Sequence, residues 1–174
     1  MYLETERLIL RKPNIGDVQD YLEFANSVFV QRYNAMAVVT QEAVESEFAD
    51  AKGDFSIIAM ELKSTHKMIG VIYTCEDSLR YKVGSKEISY HLREEESRKG
   101  YMKEALRALI AYYFDVEQLN SITARSFAPN IASQRLLESL GFAREGVLRK
   151  CVKGYKDIIF DDCLYSLMRE DWHA

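Results

Sequence analysis

Lys86-Glu87-Ile88-Ser89-Tyr90-His91-Leu92-Arg93-Glu94-Glu95-Glu96-Ser97-Arg98-Lys99-Gly100-Tyr101-Met102 is the stretch whose reading decides the fold. Its first seven residues alternate, with Ile88, Tyr90 and Leu92 on one face and Glu87, Ser89 and His91 on the other, the period of a half-buried strand. From Arg98 the period changes. Met102, Leu106, Leu109, Ile110 and Tyr113 form one stripe opposite Lys99, Lys103 and Arg107, which predicts the longest helix of the chain from near Arg98 to about Asp115. Gly100 lets the backbone turn tightly at the join, the helix start exposes unpaired amides, and its dipole favours a negative ligand. The join is therefore a candidate pyrophosphate cradle. Glu94, Glu95 and Glu96 also fit a plainer role as acids complementing the same dipole, and spacing alone does not separate the two readings.

On the N-terminal side, residues 3–11 place Leu8, Ile9 and Leu10 between Arg7 and Arg11 and read as one strand. Asn14 then caps a helix carrying Ile15, Val18, Tyr21, Leu22 and Ala25, and Gln41 to Ala51 reads as a second. Phe55 to Met60 and Met68 to Tyr73 are apolar on both faces and flank Lys63-Ser64-Thr65-His66, the pattern of a buried hairpin. On the C-terminal side, Ser121 to Phe127 is a strand. Pro129-Asn130 opens a helix with Leu136, Leu137 and Leu140, and Gly141 is placed to end it in a left-handed conformation. Val147 to Val152 and Ile158 to Met168 form an antiparallel pair. The order β-α-α-β-β-β-α-β-α-β-β implies an α/β fold with one mixed, mostly antiparallel sheet of about seven strands and about four flanking helices, and argues against a doubly wound parallel sheet.

The 174 residues and 20.1 kDa fit one domain spanning 1–174. With 48% hydrophobic and 29% charged residues the chain can bury a sizeable core, and two prolines with eight glycines leave little for linkers. A formal charge of −4 disfavours nucleic acid, whose phosphates require clustered Lys and Arg. Cys75, Cys151 and Cys163 are far apart and outside any CxxC spacing, so neither a disulfide framework nor a zinc site is expected. No apolar run approaches the ~20 residues that cross a bilayer, and the first residues lack the pattern of a signal peptide. A cytoplasmic protein is the expectation.

Asn130-Ile131-Ala132-Ser133, followed by Gly141-Phe142, is the second candidate site, although Asn130 as a cap with Ser133 at the third position accounts for the same residues without a ligand. Together with Glu4-Thr5-Glu6-Arg7-Leu8-Ile9-Leu10-Arg11, Lys99-Gly100-Tyr101-Met102-Lys103-Glu104-Ala105 and Asp161 to Trp172, these segments make the chain resemble the GCN5-related N-acetyltransferases (GNAT) over nearly its whole length. Within them it resembles the ribosomal-protein N-terminal (alanine) acetyltransferase-like group. That resemblance implies acetyl-coenzyme A bound in a V-shaped opening between two parallel strands, and direct acetyl transfer to an amine. It implies that Leu92 and Arg93 pair with the pantetheine backbone and that Arg98, Lys99, Gly100, Tyr101 and Met102 offer amides to the pyrophosphate. Asn130 would contact the pantetheine arm and Ser133 would lie near the thioester sulfur. Two positions depart from the family pattern. The phosphate motif (Gln or Arg)-x-x-Gly-x-(Gly or Ala) is here Glu95-Glu96-Ser97-Arg98-Lys99-Gly100, and Leu137 stands where many members carry a tyrosine acid.

Acetyl transfer needs a group to deprotonate the incoming ammonium and another to protonate the departing thiolate, whose free pKa is about 8.5. Glu87, on the polar strand face, is the candidate base, unless it is only solvated or paired with an Arg; Ser133 takes the thiolate by default. His91 is expected to be a hydrogen-bonded structural histidine. An α-amine, with pKa about 7.7–8.0, suits a weak base better than a lysine at about 10.4. The expected partners are acetyl-coenzyme A and an amine acceptor, a ribosomal or other protein N-terminus first, with homodimerisation open and no metal. A small-molecule amine acetyltransferase (polyamine, aminoglycoside or amino acid) and a non-catalytic acyl-coenzyme A-binding module are the alternatives.

Overall fold

The computed structural model describes residues 2–35, 37–50 and 56–173. Its strands are β1 (Tyr2–Glu4), β2 (Leu8–Arg11), β3 (Ile57–Leu62), β4 (Lys67–Glu76), β5 (Ser85–Leu92), β6 (Ser121–Phe127), β7 (Ala143–Lys153) and β8 (Ile159–Met168). Its helices are α1 (Val18–Ala25), α2 (Val28–Gln31), α3 (Gln41–Asp50), α4 (Tyr101–Asp115) and α5 (Ile131–Ser139). The strands join in one sheet, ordered β1-β2-β3-β4-β5-β6-β8-β7. Every neighbouring pair is antiparallel except β5 and β6, which run parallel.

Both faces of the sheet are covered, and the side-chain period of two divides its residues between the layers. Ile58, Met60 and Leu62 of β3 pack in one layer with Leu106, Leu109, Ile110 and Tyr113 of α4 and Leu137 of α5. Ile57 and Ala59 face the other layer, where Tyr21 and Phe24 of α1, Val30 of α2 and Val44 and Phe48 of α3 close over Met68 and Val71. The continuous apolar runs read as a hairpin are thus the sheet's doubly covered centre. Phe55 and Ala51, the ends of two sequence-read elements, lie outside the described residues.

Two differences from the sequence reading make the count eight strands and five helices. Residues 3–11 are two strands, because the polar Thr5-Glu6-Arg7 turn is bound by Glu104 of α4. The Thr5 hydroxyl and the Arg7 amide donate to Glu104 Oε1 at 2.6 and 2.8 Å, and Arg7 Nε donates to Oε2 at 2.7 Å. Burial opposes ionisation of Glu104, but these donors outweigh it and hold the carboxyl below its ordinary range. The second difference is α2, one turn long and capped by the Ser27 hydroxyl accepting from the Val30 amide at 3.3 Å. Such a piece has no stability of its own and exists through Val30, buried in the core.

Candidate functional site

The parallel ladder runs only from Ser85↔Ser121 to Ile88↔Ala124. Beyond it β5 continues to Leu92 along β4, while β6 continues to Phe127 along β8, so the two strands part into a V. Two cavities meet there, of about 410 and 440 Å³, and both are lined by Tyr33, Tyr90, His91, Asn130 and Ser133.

The first cavity extends from the V to the start of α4. Leu92, Arg98, Gly100, Tyr101 and Met102 line it, with Ser97, Arg32 and Lys103. Among the described residues its charged lining is all basic: Arg32, Arg98 and Lys103. Gly100 caps α4 at φ 85° and supplies no side-chain bond, so the first amides of a fifteen-residue helix keep no capping partner. Arg98, standing where the resemblance expects a glycine, adopts φ 61°, so the left-handed turn persists without the glycine. Arg7 braces this turn, donating from Nη1 to the Lys99 carbonyl at 3.0 Å and stacking 4.5 Å from the Tyr101 ring centre. Two sequence-named residues do not line the cavity. The Arg93 amide donates to the Ile69 carbonyl at 2.8 Å and its guanidinium to Glu23 at 2.8 Å, while Lys99 pairs with Glu96 at 2.9 Å.

At the junction Asn130 Oδ1 accepts from the Ser133 amide at 3.2 Å, the cap anticipated from the sequence. The Ser133 hydroxyl lies 2.8 Å from the Tyr90 phenol. Burial raises the Tyr90 pKa, Ser133 moderates the rise, and the phenol is pushed up to about 12, so it stays protonated and able to donate. Leu137 is fully buried in the core, and Tyr90, from β5, brings a phenol within hydrogen-bond reach of Ser133. The sequence reading missed this residue because its place on the apolar face of an alternating strand marks it as core. His91 packs edge-on to Tyr73 at 6.0 Å, and burial pushes its imidazole down to about 4, which leaves it neutral.

The second cavity has a different charge. Glu87, Asp162 and Arg125 line it, and Arg125 Nε donates to Asp162 Oδ2 at 2.8 Å. Burial pushes both carboxyls above their ordinary range. Arg125 pulls against the shift in each, and for Glu87 the negative charges of Asp77 and Asp162 add to it. Counting formal charge among the described residues, two carboxylates and one guanidinium leave one net negative charge facing this space. Among the described residues no group of three or more His, Cys, Asp or Glu side chains is arranged to hold a metal ion.

Two diverging parallel strands that open a basic cleft ending at a bare helix start agree with the opening that the resemblance implies for acetyl-coenzyme A. Residues 7–143 match the family described as the acetyltransferase (GNAT) domain, and the chain belongs to that family. It is 29% identical over 180 residues to an uncharacterized N-acetyltransferase, YnaD, of Bacillus subtilis, covering 99% of this chain and 100% of the relative. The crystal structure of a GNAT-family acetyltransferase from Bacillus anthracis is similar at TM-score 0.87 and 25% identity, over 98% of this chain and 99% of that one. A ribosomal-protein alanine acetyltransferase from Vibrio fischeri shares the fold at TM-score 0.85 and 22% identity, over the whole of both chains. The chain is an acyltransferase that carries out acetyl-coenzyme A-dependent N-acetylation.

Proposed function

We propose that the acceptor is a protein or peptide N-terminal α-amine, taken up in the second cavity, while acetyl-coenzyme A occupies the first with its phosphates at Arg98 to Met102. The contrast in charge between the cavities carries this reading: three cations line one, and a net single negative charge lines the other. One ammonium balances that charge, whereas a polyamine would bring cations with no counterpart. An α-amine of pKa about 7.8 is roughly one-seventh neutral at pH 7, against about 0.04% for a lysine, so it suits a single partly buried carboxylate base. The ribosomal-protein acetyltransferase of the same fold is named for an alanine acceptor, in keeping with this class.

In this reading Glu87 takes a proton from the ammonium, and the freed nitrogen attacks the thioester carbonyl carbon. The C–N bond forms, the C–S bond breaks, the second amine proton passes to the Tyr90–Ser133 pair as that pair gives a proton to the thiolate, and Glu87 releases its proton to solvent. Ser133 donates to the sulfur and is itself supplied by the Tyr90 phenol, 2.8 Å away. Asn130 fixes Ser133 by capping its helix. The free thiols of Cys75, Cys151 and Cys163 support a reducing cytoplasm, and the single sheet supports one domain over residues 1–174.

Thiol release from acetyl-coenzyme A, measured with a panel of acceptors, tests the proposal. A peptide with a free N-terminus should be turned over, and the same peptide with its N-terminus blocked and a lysine free should not. Preference for spermidine, an aminoglycoside or a free amino acid would overturn it.

A further inference from the structure

Asp162 pairs across the sheet with Phe127 on β6 and Leu148 on β7, and it is 3% exposed. Its Oδ2 is held by Arg125. Its Oδ1 is buried without any hydrogen-bond partner among the described residues, although the residue lines the second cavity beside Glu87. Buried polar atoms are nearly always partnered, and a carboxylate oxygen is among the most expensive to leave bare. Arg125 does not supply the missing donor: its Nε is engaged with Oδ2, and its Nη2 approaches Cys151 Sγ at 4.0 Å. The vacant valence thus sits in the wall of a space that a molecule of suitable chemistry can enter.

We infer that Asp162 Oδ1 is the binding point for the ammonium group of the acceptor. An ammonium carries three donors, so one N–H can reach Asp162 while another faces Glu87. Asp162 keeps its charge balanced by Arg125 and holds the nitrogen; Glu87 takes the proton. This division of work rests on the proposal that the second cavity receives the amine. It makes Asp162 a binding residue for acceptors and predicts that a group without an N–H is rejected.

Asp162→Asn tests the inference. The amide oxygen can still accept from Arg125, while the amide nitrogen presents donors where the ammonium needs an acceptor. The KM for the amine should rise at least about tenfold, by more than kcat at saturating amine falls, with the Kd of coenzyme A changed by less than about threefold. If Asp162 merely ties Arg125 to the sheet, the amine KM stays at the parent value, and that result overturns the inference. A measurement on the folded parent protein guards against a variant that fails to fold. As competitive inhibitors, an N-terminally dimethylated peptide, which keeps one N–H, should bind at least about fivefold better than its trimethylated form, and the preference should survive in Glu87→Gln. Equal binding overturns the inference. Should polyamines prove to be the acceptors while Asp162→Asn still raises their KM, the α-amine reading fails and the assignment of Asp162 stands.

Discussion

Replacing Arg98 by alanine and, separately, by glycine divides charge from backbone strain in the turn before α4. At φ 61° any residue with a Cβ is strained by about 1–2 kcal/mol, and alanine keeps that strain while removing the guanidinium. Glycine removes both, but its freer unfolded chain costs about 0.4–1 kcal/mol. The glycine variant should therefore be more stable than the alanine variant by between roughly zero and 1.5 kcal/mol, reversing the order found where φ is negative. Both variants lose one of the three cations lining the first cavity. A charge-assisted hydrogen bond contributes about 1.5–3 kcal/mol, and since Arg98 is exposed we discount this to about 1 kcal/mol, or a fivefold weaker Kd for coenzyme A in either variant. Urea denaturation of the unliganded proteins reads the first effect, and calorimetric titration with coenzyme A reads the second. An Arg98→Gly protein less stable than Arg98→Ala would refute the strain argument, and parent-like affinity in both would remove Arg98 from the phosphate site.

Glu87→Gln should lower turnover by roughly 10²–10⁴-fold. In the parent, kcat/KM should climb with pH through a limb above the ordinary carboxylate value of about 4.3, because burial raises this carboxyl and only its ionised form accepts a proton. The variant should lose that limb, and an unchanged profile assigns the proton to water. Ser133→Ala and Tyr90→Phe should each reduce kcat by roughly 10–100-fold while leaving the Kd of acetyl-coenzyme A within about twofold, since their bond matters most when the thiolate forms; parent-like kcat with chemistry limiting would exclude the pair. Gly70→Ala would set a Cβ 2.8 Å from the His91 carbonyl oxygen and 3.0 Å from Leu92 Cδ1, so it should cost about 1–3 kcal/mol and weaken coenzyme A binding by shifting the Leu92 wall. Denaturation within about 0.5 kcal/mol of the parent would contradict that packing.

The change of period between Leu92 and Met102 was legible because strand and helix are local geometries, each announced by which neighbours share a face. The helix begins at Tyr101, three residues past the anticipated Arg98, since Arg98 and Gly100 both take left-handed angles that no helix accommodates. Asn130 and Ser133 were legible for the same reason: a cap and the amide it serves lie three residues apart. The break between β1 and β2 was not, because it depends on Glu104, whose link to Thr5 spans 99 positions.

The site divides in the same way. Its phosphate end, a glycine turn before an amphipathic helix, is a local pattern. The contact of Tyr90 with Ser133 spans 43 positions and that of Arg125 with Asp162 spans 37, and Tyr90, Arg125 and Asp162 carry no mark in their own neighbourhoods. Tyr90 reads as core, and Asp162 reads as one of two adjacent acids on a strand. Residue order by itself therefore determined most of the elements, their sequence along the chain and the helix start that favours an anion, all of which follow from contacts within a few residues. Only the tertiary structure decided that β5 and β6 part after Ile88 and Ala124, and hence which distant side chains share the opening, because hydrogen-bond pairing and burial between strands depend on how the whole sheet closes.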